Sequence, residues 1–192
     1  MRIGAGRPVA WVVSGPPGAG KSSLVEVLLG RLLPTPARLD KDTLFAGLVA
    51  ELLSAYGRPH GEREGQWYDD HVKCHEYAGM AAASRQIRDG GCPVLLEGPF
   101  TSQIRDVAAW RAWVNGLGGE PVRLIWVHAD SATLRARLAT RGQARDAGKL
   151  ADFDAFLTRM RLTEPPAVPH LAVDNSMGSP QMSEQLADLL GD

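Results

Sequence analysis

Cysteine is scarce in this chain: Cys74 and Cys92 are the two it has in 192 residues. That is too few for a disulfide framework or a cysteine-built zinc cluster, and it suits a reducing compartment. A dominant charge is also missing. Basic and acidic side chains number 21 and 22, which leaves no overall electrostatic footprint for nucleic acid or an anionic membrane, although a local patch stays open. No apolar run approaches the roughly 18–20 residues that a membrane span needs. Arg2 and Arg7 stand near the N-terminus, but the apolar run after them, Val9 to Val13, is too short for a signal peptide. Internal repeats, low-complexity tracts and linkers are absent as well. These absences leave one soluble, cytoplasmic domain spanning residues 1–192, with enough apolar residues for a substantial core.

Short β-branched runs alternate with helical patterns. Pro8–Val13 and Val122–Val127 read as buried strands, as does Pro93–Glu97, which ends in an acid. Arg38–Asp40 and His170–Val173 are weaker strands. Helical spacing predicts helices over Ser22–Leu33, Thr43–Leu53, Gln66–Arg88, Ser131–Arg141 and Gln181–Leu190, with another carrying Val107, Trp110, Val114 and Leu117. The expected fold class is α/β: a five-stranded parallel sheet with helices on both faces, its functional edge at the strand carboxyl ends.

Between the first strand and the first helix lies Gly15-Pro-Pro-Gly-Ala-Gly-Lys-Ser22, which satisfies G-x-x-x-x-G-K-[ST] in the context that motif requires. Glycines let the backbone curl so that several N–H groups point at one anion, and the helix N-terminus adds its positive dipole end. Lys21 is a point charge for the β- and γ-phosphates, and the Ser22 hydroxyl suits Mg²⁺. The run Gly15, Pro16, Pro17, Gly18, Ala19, Gly20, Lys21, Ser22 and Ser23 is therefore the expected nucleotide-binding loop. With only four lysines in the chain, a chance match in this context is rare. The marks of other P-loop classes are missing: no D-x-x-G or N-K-x-D of GTPases follows, and the third strand offers Leu95-Leu96-Glu97 in place of an Asp-Glu pair.

Taken together, S-G-P-P-G-A-G-K-S, L39-D-K-D-T-L-F45, V94-L-L-E-G-P-F-T101 and R137-L-A-T-R-G142 resemble the P-loop kinase superfamily. More narrowly the chain is similar to small kinases often labelled AAA-family ATPases. Their relatives include polynucleotide 5′-hydroxyl kinases, chloramphenicol phosphotransferase, gluconate kinase and zeta toxins. The resemblance runs from about Val9 to Asn175 and implies a nucleotide-kinase-like P-loop NTPase fold with a short lid, approximately 137–150. It also implies transfer of the γ-phosphate of ATP, with Mg²⁺, to a hydroxyl.

By that resemblance Asp42 is the base that takes the proton of the attacking hydroxyl. Asp40 is near enough to assist through Mg²⁺-bound water; alternatively, one of these two aspartates only caps the helix at Thr43. Glu97, at a strand end beside the loop, either binds Mg²⁺ directly or through water, grips the acceptor, or only bonds backbone. Arg137 and Arg141 share a helix face. The resemblance makes them lid residues that neutralise transferring charge, whereas the helix C-terminus alone would also favour cations there. Asn175 falls where relatives contact the adenine ring. Phe100, Tyr68 and His71 are expected against the acceptor, the last two within a segment of approximately 54–80. His71, Cys74 and His75 lack the remaining ligands of a zinc site. The expected partner is a small hydroxyl-bearing molecule. A polynucleotide 5′-hydroxyl, served by Arg58 and Arg63, and a regulatory nucleotide-binding module without transfer are the alternatives.

Overall fold

In the computed structural model, residues 6–59, 61–63, 65–143, 146–161 and 164–190 are described. The strands are β1 (Ala10–Ser14), β2 (Ala37–Asp40), β3 (Val94–Glu97), β4 (Val122–His128) and β5 (Leu171–Asp174). They form a five-stranded sheet in the order β2-β3-β1-β4-β5, with every neighbouring pair parallel. The sheet is apolar on both sides because successive residues of a strand face opposite layers. Val12, Leu96, Leu124 and Trp126 pack on one face with Tyr77, Met80, Trp110 and Trp113. Val13, Leu95, Ile125 and Val127 pack on the other with Leu24, Leu28, Leu134 and Leu138.

The helices that cover these faces are α1 (Lys21–Arg31), α2 (Lys41–Ala55), α4 (Cys74–Asp89), α5 (Thr101–Arg105), α6 (Val107–Gly116), α7 (Ser131–Arg141) and α10 (Met182–Leu190). The long helix expected over Gln66–Arg88 is present but not uniform. A single turn, α3 (Gln66–Tyr68), runs through a π-helical segment, Asp69–Lys73, into α4. The short helix α5 is not among those the sequence pattern predicts, and neither are α8 (Ala147–Ala151) and α9 (Phe153–Met160), which follow the break at Gly142. Gly142 closes α7 in the left-handed conformation at φ 59°, which glycine adopts without a Cβ penalty. Phe153 and Phe156 of α9 join the α1 face of the core. Arg145, which follows Arg137 and Arg141 at the same four-residue spacing in the sequence, lies outside the described residues.

Since β1 has β3 on one side and β4 on the other, the strand order reverses at its carboxyl end. A crevice opens there in folds of this type. No described helix is long and apolar enough to cross a membrane.

Candidate active site

The glycine-rich loop occupies that switch point. Gly15, Gly18 and Gly20 have φ of 151°, 84° and 97°, conformations that a side chain would strain. At Gly15 space forbids one too: a Cβ would lie 2.1 Å from the Val127 carbonyl oxygen. Neighbouring elements brace the loop. Asn175 donates through Nδ2 to the Ala19 carbonyl at 2.7 Å, and Arg137 to the Gly18 carbonyl at 3.4 Å. Lys21 donates to the carbonyls of Gly15 and Pro16 at 2.9 and 3.1 Å, which holds its ammonium across the mouth of the loop.

Ser22 and Glu97 meet at the start of α1 and the end of β3, with Ser22 Oγ donating to Glu97 Oε1 at 2.5 Å. The other carboxylate oxygen accepts from Arg38 at 2.8 Å. Glu97 is buried, so a guanidinium on one oxygen and a hydroxyl on the other keep its charge compensated. Nothing in the sequence distinguishes Arg38 from a solvated strand residue.

One cleft of about 830 Å³ runs from the loop past Lys21, Ser22 and Glu97 to Asp42, Tyr68 and Lys73. Asp40 and Asp42 both line it but differ in use. Asp40 caps α2: its Oδ1 accepts from Asp42 N, and its Oδ2 from Thr43 N, at 3.2 Å each, with Thr43 Oγ1 at 2.5 Å from Oδ2. The capping alternative is thus realised. Asp42 begins the helix with its carboxylate beside two cations, Lys41 Nζ at 3.2 Å and Arg63 at 3.6 Å from Oδ1. Arg141 and Lys149 line the same cleft, both bonded to buried Asp146.

Two expected acceptor residues are not in the cleft. Phe100 is fully buried. Its left-handed φ of 40° turns the ring back over Gly98 and into the core, 5.2 and 4.7 Å from the rings of Tyr77 and Trp113. His71 stacks on Trp67 at 5.2 Å, exposed and outside the cleft wall. Asn175, expected at adenine, has its amide nitrogen committed to Ala19. Tyr68 does line the cleft. Burial first, then the neighbouring Glu76 charge, raises its phenol well above the ordinary range, so it stays a protonated donor. Arg58 lies over the Trp67 ring, 4.0 Å from its centroid, and does not line the cleft as Arg63 does. Among the described residues no group of three or more His, Cys, Asp or Glu gathers to hold a metal ion.

Residues 11–166 match the model of a family described as AAA domain (AAA_33). No curated protein matches the chain by sequence. Among solved structures, a candidate kinase from Chloroflexus aurantiacus is 19% identical, with 97% of this chain and 98% of that one covered and a TM-score of 0.67. The APS kinase of Mycobacterium tuberculosis, solved with AMPPNP and APS, is 17% identical over 98% and 100% of the two chains, at 0.57. A tunicamycin resistance protein from Deinococcus radiodurans is 20% identical over 97% and 96%, at 0.53. At such identities the likeness is one of fold, and the fold is that of the P-loop kinases.

Proposed function

The chain belongs to the AAA domain family matched over residues 11–166, and from that premise we propose that it is an ATP- and Mg²⁺-dependent kinase acting on a hydroxyl of a small molecule. The observation that carries this reading is that Lys21 and Ser22 share one cleft with Asp42. A phosphate grip faces a carboxylate across a space suited to a small acceptor.

The loop amides and Lys21 bind the β- and γ-phosphates, and Arg141, with Arg137 behind the loop, opposes the charge that spreads over the γ-oxygens. The acceptor oxygen bonds to the γ-phosphorus as the bond to the β–γ bridging oxygen breaks. ADP leaves, and the acceptor proton passes to Asp42. Ser22 and Glu97 supply a hydroxyl and a carboxylate oxygen at one point, a hard-oxygen donor pair that fits Mg²⁺. Mg²⁺ bound there would neutralise phosphate charge. Asp40, committed to capping α2, is left a lesser part in that site. A small acceptor is favoured over a polynucleotide because Arg58 is drawn onto Trp67, leaving Arg63 alone of that pair in the cleft.

The deciding experiment measures acceptor-dependent ADP release from Mg–ATP across nucleosides, sugars, antibiotics and 5′-hydroxyl oligonucleotides. Release with one or more small alcohols is expected. Release with oligonucleotides alone, falling steeply with salt, would transfer the reading to a polynucleotide kinase. Tight ATP binding with no release on any acceptor would leave a regulatory nucleotide-binding module.

A further inference from the structure

Behind Asp42 lies a buried charge that the reaction as described does not use. Glu76 of α4 is 2% exposed. Its two carboxylate oxygens lie 3.2 and 3.3 Å from Lys41 Nζ, and Oε2 also accepts from the Tyr68 hydroxyl at 3.1 Å. Lys41, itself buried, reaches Asp42 Oδ1 at 3.2 Å. Its ammonium therefore bridges a buried carboxylate on one helix and a cleft carboxylate on another.

The π-helical segment makes this bridge possible. In a regular α-helix, residues eight apart point about 80° away from each other, whereas residues seven apart differ by only about 20°. Asp69–Lys73 takes up one extra residue between Tyr68 and Glu76. The two then stand as if seven apart, on one face, and the hydroxyl meets the carboxylate. Such insertions cost helix regularity and are frequent at functional sites. Here the insertion also seats Val72 and Tyr68 against Val49 and Leu53 of α2, which fixes the helix carrying Lys41 and Asp42.

A buried carboxylate without a partner is strongly unfavourable, and so is a buried ammonium. Glu76 and Lys41 each supply what the other lacks, and Tyr68 bonds the same carboxylate. Lys41 is thereby held in one place, and beyond the two Glu76 oxygens its ammonium meets a third, Oδ1 of Asp42. We propose that Glu76 is a positioning residue: acting through Lys41, and held by Tyr68, it fixes the carboxylate of Asp42 in the cleft. This rests on the reading of Asp42 as the acceptor-side base, and Arg63 is a further cation 3.6 Å from the same oxygen.

The test is a double-mutant cycle on the full chain with Glu76→Gln, Lys41→Met and both together. It is scored by ADP release from Mg–ATP with the fastest compound of the acceptor panel, or with water if none turns over. ATP affinity is measured alongside. Each single change is expected to lower kcat by about 10–100-fold, the scale of a misplaced catalytic group, while ATP Kd moves less than about twofold. Because Glu76 acts through Lys41, the double variant should be no slower than Lys41→Met alone. A wild-type kcat for Glu76→Gln, or a double-variant loss equal to the product of the single losses, overturns the inference. If Glu76→Gln is too unstable to assay, the double variant, which buries no lone charge, against Lys41→Met decides alone. Asp42→Asn assayed in parallel separates the two levels. If it retains full activity the base assignment falls. If it is inactive while Glu76→Gln is unimpaired, only the role of Glu76 falls.

Discussion

Arg141 and Asp146 face each other across the left-handed turn at Gly142, joined by two N–H···O bonds of 2.7 Å each. Asp146 is fully buried and also accepts from Lys149 at 3.3 Å. One carboxylate therefore gathers two cations that line the cleft. On the proposed roles, Asp146→Asn should weaken Mg–ATP binding by about tenfold, since the fork of Arg141 loses its orientation. It should also lower Tm, as breaking buried pairs does. Calorimetric titration reads the first effect. Tighter ATP binding in the variant would mean that Asp146 competes with phosphate for Arg141 instead of presenting it.

Asp42→Asn keeps the side chain's shape and its place beside Lys41 while removing basicity. Acceptor-dependent kcat should fall by about 10²–10⁴-fold, the usual contribution of a positioned base, with ATP Kd nearly unchanged. Lys21→Ala should instead damage binding and rate together, because its ammonium stands at the mouth of the loop. Steady-state kinetics beside nucleotide titration distinguishes the two patterns. Equal loss of ATP affinity in both variants would refute the separation of roles.

Two glycines should respond to alanine in opposite senses. Gly15→Ala drives a methyl to 2.1 Å from the Val127 carbonyl of the adjacent strand, and paired strands cannot part to admit it. A loss of more than about 3 kcal/mol is expected. Gly30, in α1, has nothing within 4 Å of an added Cβ, so Gly30→Ala should gain about 0.5–1 kcal/mol by restricting the unfolded chain. Urea unfolding measures both. A tolerated Gly15→Ala would show the loop to be less closely seated on β4 than described.

Much of the sheet could be read from the chain because strands buried on both faces must be apolar throughout. Leu124–Val127 and Pro93–Leu96 carry that mark, and the acid that follows the latter, Glu97, does reach Ser22. The loop was legible for a related reason, since only glycine tolerates the turns it makes. Side chains whose direction depends on one unusual backbone angle were not legible. Phe100 follows Gly-Pro, and nothing in that order reveals the φ that folds its ring into the core. The π-helical insertion is equally silent, as it changes the phase of a helix without changing its composition. Glu76 consequently reads as a surface residue of an amphipathic helix, although it is buried opposite Lys41. Asp40 illustrates a third case: a helix cap and a metal-site acid want the same residue type, and the cap became visible only in its bonds to the Asp42 and Thr43 amides.

The end of β5 carries a pH dependence of calculable sign. Desolvation is the largest single influence on Asp174 and raises its pKa. Bonds from the Ser176 hydroxyl and amide and from the Ser179 hydroxyl, together with His128, outweigh it and leave the folded value below the ordinary 3.8. A depressed folded pKa means that the unfolded chain takes up the proton first. The stability contributed by Asp174 is therefore complete above the ordinary value and is lost as pH falls through the lower, folded one. This carboxylate anchors the turn bearing Ser176 and Ser179, at 2.6 and 2.8 Å from their hydroxyls. The next residue, Asn175, bonds the phosphate loop at Ala19. Acid should thus loosen the loop as well as the fold. Melting curves between about pH 6 and pH 2.5 should show a steeper fall in Tm for the wild-type chain than for Asp174→Asn, which has no such proton to gain. Parallel slopes in the two proteins would show that the turn draws nothing from the charge of Asp174.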